Sequence, residues 1–356
     1  MKLIDIANSR LIYQQIASPR FTSVKELVAW MGALQAQDAA MVKWAVGMRL
    51  LVTGTEQRVN DALDDGEILR THALRPTWHL VTPEDIRWML ALTAPQIRTL
   101  TKARHKDLGL TEGIFSKSHK IIEKLLRDGN HATREEIIPM LNKAGINTDE
   151  NRASHIFMEL ELDGLMCSGK IKNGKQTFAL LDERAPQMKP FKRDEALAML
   201  AERYFQSRCP ATLDDFVWWS GLSKGDAKQA LEMVKPKFAS EVVDGKTYWL
   251  SESLPKPSKK ESAYLLPAYD EFIISYKDRS ATLTFENHKR AVSINGVFNP
   301  TIVVNGETVG VWKRTFKKDN VLMEFKYFEK PNKAALGMIE QEAKRYAEFL
   351  GKGDKQ

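Results

Sequence analysis

The chain has 356 residues, 43% hydrophobic and 28% charged, which is enough apolar material to build a core without disulfide or metal staples. Its two cysteines, Cys167 and Cys209, lie far apart in no ligand-like spacing, which argues against a disulfide framework or a cysteine zinc site and fits a reducing cytoplasm. A net charge of +7 and a pI of about 9.1 favour a polyanionic partner, whereas MKLIDIANSRLIYQQIASP has no continuous apolar signal-peptide core and no stretch reaches the length of a membrane span.

From Asp5 to about Lys106 the pattern is mostly helical. Ser23 is placed to cap a helix, with Val24, Leu27, Val28, Met31 and Leu34 following at helical spacing. Asp38 is a second cap, ahead of Met41, Val42, Ala45, Val46 and Met48, and the segment LQAQ (34–37) lies between the two helices. ILRTHALRPTWHLV (68–81) reads as two short extended pieces around Arg75–Pro76. Thr82, Pro83 and Asp85 then open another helix.

Between 114 and 185 the spacing predicts three helices, Phe115 to Leu126, one capped by Thr133, and Arg152 to Asp163. Two strands follow, joined at Asn173–Gly174, a pair suited to a turn in which both residues need positive φ. Three helices and a β-hairpin make a winged helix. The same order recurs from 190 to 252, with caps at Thr212 and Ser223 and a hairpin turn at Asp244–Gly245. The first 110 residues are suited to a third, divergent copy. LPKPSKK (254–260) reads as a linker. A β-rich part follows, with AYLLPAYDEFIISY, a turn at Asn305–Gly306, a turn at 317–320 and a terminal helix from Lys333 to Leu350.

The fold expected is therefore α+β. Three tandem winged-helix domains, 1–112, 113–187 and 188–257, precede a β-rich part, 258–356, with its helix. No phosphate loop, dinucleotide-binding glycine pattern, HExxH or cysteine-rich zinc pattern is present, so neither cofactor nor metal is expected. Winged helices hold duplexes through Lys and Arg on phosphates. The candidates form three clusters: Lys170, Lys172 and Lys175 on the first wing; Arg98 and Lys102 (with Arg104 and Lys106) on the helix leaving the first domain; and Lys313, Arg314, Lys317 and Lys318 on the last hairpin. The helix from 152 to 163 is acidic instead, with Glu159, Glu161 and Asp163, so not every repeat is expected to meet DNA through its third helix. Asp270, Asp278 and Arg279 read as a structural ion-pair network, and Trp218 and Trp219 as core.

One series of motifs is more specific. LQAQD with WAVGMRL, LRPTWHLVTPEDIRW, LELDGLMCSGK with QTFALLDER, CPATLDDFVWWSGL, LLPAYDEFIISYKDRS and VFNPTIVVNGETVGVWKRT follow in order from residue 34 to 315, and the likeness they carry extends over about residues 5 to 350. Together they resemble the winged-helix family to which AlkZ and YcaQ belong. The resemblance implies a monofunctional DNA glycosylase acting on alkylated, often cationic, bases in double-stranded DNA, with unhooking of interstrand crosslinks in the branch carrying Gln-x-Gln. It implies that Gln35 and Gln37 are catalytic and that Thr77 and His79 lie near them. Asp38 is read as a helix cap before a catalytic acid.

The chemistry of such a motif is consistent with that implication. On a helix, positions i and i+2 point about 200° apart and cannot address one site; in an extended segment they can. A glutamine amide is no base, but it orients water and donates hydrogen bonds. That suffices where a positive charge already weakens the glycosidic bond; a bulky crosslink, which cannot easily be flipped into a tight pocket, calls for an open concave site rather than a deep base pocket. The rival reading, a winged-helix regulator without catalysis, explains repeats and charge equally well but leaves LQAQ unexplained. A cytoplasmic monomer is expected.

Overall fold

A computed structural model of the protein describes residues 1–251 and 261–355. The linker read at 254–260 lies outside the described residues. Four short helices open the chain: Leu3–Tyr13, Val24–Met31, Met41–Gly47 and Glu56–Asp64. Ser23 caps the second through its Oγ, which accepts from the Glu26 N–H. Asp38 Oδ1 accepts from the N–H groups of Ala40 and Met41 at 3.0 and 2.9 Å and so starts the third.

The extended pieces form a hairpin, Leu69–Ala73 with Thr77–Val81, and the two-residue strand Leu34–Gln35 adds to its free edge. The register pairs Leu34 with Leu80 and Gln35 with His79, while Thr71 faces His79 from the other side. Gln35, His79 and Thr71 therefore form one row across the sheet. The long helix Pro83–Asp107 follows, with Pro83 at its start.

The segment 112–180 runs helix Glu112–Leu126, strand Ala132–Thr133, helices Arg134–Lys143 and Arg152–Leu162, then strands Met166–Ser168 and Thr177–Leu180. The segment 193–250 runs helices Arg193–Arg208, Leu213–Ser220 and Lys224–Val234, then the hairpin Ala239–Val243 with Lys246–Leu250. Asn173–Gly174, Asp244–Gly245 and Asn305–Gly306 all have positive φ at both residues, as their tight turns require.

The last part is a five-stranded sheet in the order Gly353–Lys355, Asn320–Tyr327, Glu307–Phe316, Thr301–Val304, Ala263–Leu266, backed by the helix Lys333–Phe349. Two features differ from the expected elements. AYLL is a strand, but the following EFII is a helical turn, Glu271–Ile274, capped by Asp270; a short apolar run does not distinguish the two states. The helices Glu56–Asp64 and Phe285–Ala291 carry few apolar residues and were not read.

The position of the site follows from one packing fact. The N-terminal helices and the C-terminal sheet share a single core. Trp44 meets Tyr346 edge-on with ring centres 5.2 Å apart, and Trp312 meets it from another side at 5.1 Å. Both indoles donate to strand carbonyls, Trp44 to Leu265 and Trp312 to Leu266. Residues from opposite ends of the sequence are thereby fixed around 34–37. A second core joins the hairpin and long helix to 193–234, and a third lies within 108–180. No helix among the described residues is long and apolar enough to cross a membrane.

Candidate active site

The backbone leading into LQAQ is held by buried charge. Arg208, fully buried, donates to the carbonyls of Met31 and Ala33, each at 2.6 Å, and to Glu271 Oε2 at 2.8 Å. Glu271 Oε2 also accepts from Trp219 Nε1 and the Ser275 hydroxyl, while its Oε1 accepts from the backbone N–H of Gln35 at 2.7 Å. Burial pushes the pKa of Glu271 up, but the Arg208 charge and these hydrogen bonds overcome that and hold it at about 2. Next to it, Asp270 accepts both terminal nitrogens of Arg49, at 2.9 and 2.7 Å. Asp278 pairs with Lys246. Arg279 enters no ion pair among the described residues, donating instead to the Ile273 carbonyl at 3.0 Å.

Gln35 and Gln37 are unequal. Gln35 is 6% exposed, and its Oε1 accepts from Arg75 Nη2 at 2.7 Å. The pairing continues one residue further, with the Ala36 N–H donating to the Trp78 carbonyl at 2.7 Å, and the Ala36 carbonyl accepts from Arg70 Nε at 3.0 Å. The chain then bends, and Gln37 is exposed. No partner for its side chain exists among the described residues. Asp38 follows, with Oδ1 spent on the helix start.

The facing hairpin carries buried polar atoms that have no hydrogen-bond partner among the described residues. These include Thr71 Oγ1, Arg75 Nε, Thr77 Oγ1, Trp78 Nε1 and His79 Nε2. Buried polar atoms are ordinarily paired, and five exceptions lie on this one hairpin, with others elsewhere in the chain. His79 is fully buried. Burial first, then the positive charge of Arg75, lowers its pKa to about 3. Its Nδ1 lies 3.0 Å from the Thr77 carbonyl, which can only accept. Nδ1 therefore carries the proton, and Nε2 is a neutral acceptor. Thr77 and His79 do lie beside Gln35, on the strand paired with it.

The basic candidates fall into two groups. On the last hairpin Lys313, Lys317 and Lys318 are exposed. Arg314 donates to the Tyr346 hydroxyl and is close enough to Asp38 to feel its charge, although burial is the stronger influence and lowers its pKa. Elsewhere acids are close. Lys172 pairs with Glu136, Lys175 with Glu135, and Arg98 with both Glu159 and Asp163. Lys170 and Lys102 are exposed. The acidic third helix is explained by these pairs: Glu159 is spent on Arg98, and Glu161 on His72 of the hairpin.

Several site residues escaped the sequence reading. Arg75 stands at the hairpin turn, where only its register relative to Gln35 would have singled it out. Glu271 and Arg208 were legible only as charges inside apolar runs, AYDEFII and YFQSRCP, a pattern that signals buried ion pairs. Trp218 is 38% exposed rather than core, because neighbouring residues on a helix point about 100° apart and Trp219 takes the inward position.

The model of the AlkZ-like family, described as "DNA glycosylase AlkZ-like", matches residues 28–349. An interstrand DNA cross-link repair glycosylase of Streptomyces sahachiroi is 25% identical over 316 residues, covering 84% of this chain and 85% of that protein. The solved structure of the Streptomyces sahachiroi DNA glycosylase AlkZ superposes with a TM-score of 0.80 at 20% identity, covering 100% of this chain and 99% of that one. The regulator reading gives way to these findings: the chain belongs to the AlkZ-like DNA glycosylases.

Proposed function

We propose that the protein hydrolyses the N-glycosidic bond of cationic N7- or N3-alkylated purines in double-stranded DNA, and that its substrates include interstrand crosslinks, as the name of the Streptomyces relative states for that protein. The observation that carries this reading is the division of labour within LQAQ. The Gln35 amide oxygen accepts from Arg75, which fixes the orientation of its NH2, while the Gln37 amide is exposed and has no partner among the described residues.

Gln37 orients the attacking water through its Oε1. Gln35 donates to the sugar or to the departing base. The bond between C1′ and the base nitrogen breaks with its electron pair going to the purine, which leaves neutral, and the water oxygen adds to C1′. Asp38 stands next to Gln37 and supplies negative charge opposite the oxocarbenium-like transition state, and it accepts the water proton. Neutral His79 adds no positive charge to the site. Catalysis is thus mainly positioning and electrostatic stabilisation. The exposure of Gln37 suits a lesion too bulky to be flipped into a closed pocket.

Lys313, Arg314, Lys317 and Lys318, with Lys170 and Lys102, hold duplex phosphates, while Lys172, Lys175 and Arg98 contribute only by leaving their acidic partners. The domain boundaries at 112, 187 and 257 are proposed as the limits of three winged helices and the β-rich part. The enzyme acts as a cytoplasmic monomer, and its two cysteines are buried free thiols. The test is incubation with one labelled duplex carrying 7-methylguanine and another carrying an N7-linked interstrand crosslink. Alkali-labile abasic sites are expected from both. No product from either overturns the proposal.

A further inference from the structure

Three fully buried arginines of this chain face carboxylates: Arg10 with Asp215 at 3.7 Å, Arg49 with Asp270 at 2.7 Å and Arg208 with Glu271 at 2.8 Å. That is the usual condition for taking a guanidinium out of water. Arg75 and Arg279, which are half-buried, do not meet it. Neither has a carboxylate within ion-pair distance among the described residues. Arg75 gives one Nη to Gln35 and leaves its buried Nε without a partner. Arg279 gives its Nε to the Ile273 carbonyl and leaves its buried Nη2 without one.

Both flank the same indole. The guanidinium carbon of Arg75 is 5.5 Å from the Trp218 ring centre and that of Arg279 is 5.2 Å from it. Trp218 is itself anchored, its Nε1 donating to the Ile274 carbonyl at 2.8 Å. The arrangement is built into the backbone. Gly221 ends the Trp218 helix at φ +69°, and a Cβ there would stand 2.4 Å from the Leu74 carbonyl oxygen, so the helix end sits directly on the hairpin turn that carries Arg75. Burial, and after it the charge of Arg75, lowers the pKa of Arg279 to about 10. Two like charges that are desolvated and brought together are stabilised by an anion placed against both.

We propose that Arg75, Arg279 and Trp218 form an anion site that grips one phosphodiester of the strand carrying the target nucleotide, immediately beside Gln35. Guanidinium forks match phosphate oxygens in geometry and charge, and the exposed indole face accepts the adjoining sugar or base. Because Arg75 also holds the Gln35 amide, seating the phosphate and orienting that amide become one event. The inference rests on the glycosylase reading for the identity of the strand, but its binding chemistry does not depend on turnover.

The test uses the full chain and a duplex with a tetrahydrofuran abasic analogue, which cannot be excised. Phosphates around the analogue are replaced singly by neutral methylphosphonates. One linkage is expected to weaken wild-type binding by about tenfold. Arg279→Gln is expected to weaken binding to the all-phosphate duplex by part of that factor, to lose less at that linkage than wild type does because only Arg75 still meets it, and to flatten the slope of log affinity against log salt by up to about 0.9. Arg75→Gln is read the same way, and Arg279→Lys restores part of the loss. A scan in which every linkage costs the variants as much as it costs wild type, or unchanged salt slopes in both, overturns the inference. Failure of wild type to excise 7-methylguanine would sink the catalytic reading and leave this binding result standing.

Discussion

Arg75 donates to the amide oxygen of Gln35 at 2.7 Å across the turn of the hairpin that Gln35 pairs with. An amide oxygen carries two lone pairs and its nitrogen two donors. The Arg75 bond therefore fixes which way the Gln35 amide faces without exhausting its oxygen, while the exposed Gln37 amide is not fixed by any partner among the described residues.

Releasing that amide is expected to slow chemistry. A hydrogen bond from a charged donor is worth about 1.5–3 kcal/mol. Single-turnover excision by Arg75→Leu is therefore expected to fall by about ten- to a hundredfold. Arg75→Lys, which keeps the charge but not the fork, recovers part of it. Wild-type single-turnover rates in Arg75→Leu would contradict the assignment.

The pair Glu271–Arg208 sets the position of Gln35 through the backbone. Glu271→Gln leaves Arg208 buried without its counter-charge, which costs on the order of 3–5 kcal/mol. Urea unfolding is expected to show that loss at pH 7. The folded pKa of Glu271 is about 2, below its ordinary 4.5. Its contribution is therefore full above about 4.5 and is lost as pH falls toward about 2. The difference between wild type and Glu271→Gln should shrink over that window; a constant difference would count against an ionised Glu271.

His79 titrates far below its ordinary range, at about 3 rather than 6.5. Its imidazole is therefore neutral throughout pH 5–8, and excision should show no inflection from it. The stability it carries is present above about 6.5 and declines as pH falls from there toward 3, because only the unfolded chain takes up the proton. NMR of the His79 ring nitrogens reads this directly. A midpoint near 6.5 in the folded protein would refute the buried, neutral assignment.

Lys317 and Lys318 lie at the exposed turn of the last hairpin. The double variant Lys317→Ala/Lys318→Ala is expected to flatten the salt dependence of duplex binding by about two phosphate contacts. Lys172→Ala, whose charge Glu136 already matches, should change it far less. Equal effects would mean that the wing and the hairpin serve DNA alike.

Much of the local structure was legible because punctuation residues specify it. Ser23, Thr133, Thr212 and Ser223 each accept the expected backbone hydrogen bond at a helix start. The Asn–Gly and Asp–Gly pairs each form a positive-φ turn. The hairpin around Pro76 was equally readable. Hidden from the sequence was the return of 270–279 to LQAQ, a contact between Glu271 and Gln35 across 236 residues. Periodicity states which face is buried but never against what, so Glu271, Arg208 and Arg75 carried no signal of their shared destination. The unequal exposure of Gln35 and Gln37 was equally hidden, because alternation treats both alike whereas the paired strand ends at Gln35 and the chain bends at Gln37.

The central claim, that LQAQ is the catalytic element, is tested most directly by single-turnover excision of 7-methylguanine at saturating enzyme, comparing wild type with Gln37→Ala. The account predicts a loss of about a hundredfold or more in the rate, in line with removal of one transition-state contact, with duplex affinity unchanged. Excision by Gln37→Ala at the wild-type rate would contradict it and remove Gln37 from the chemistry.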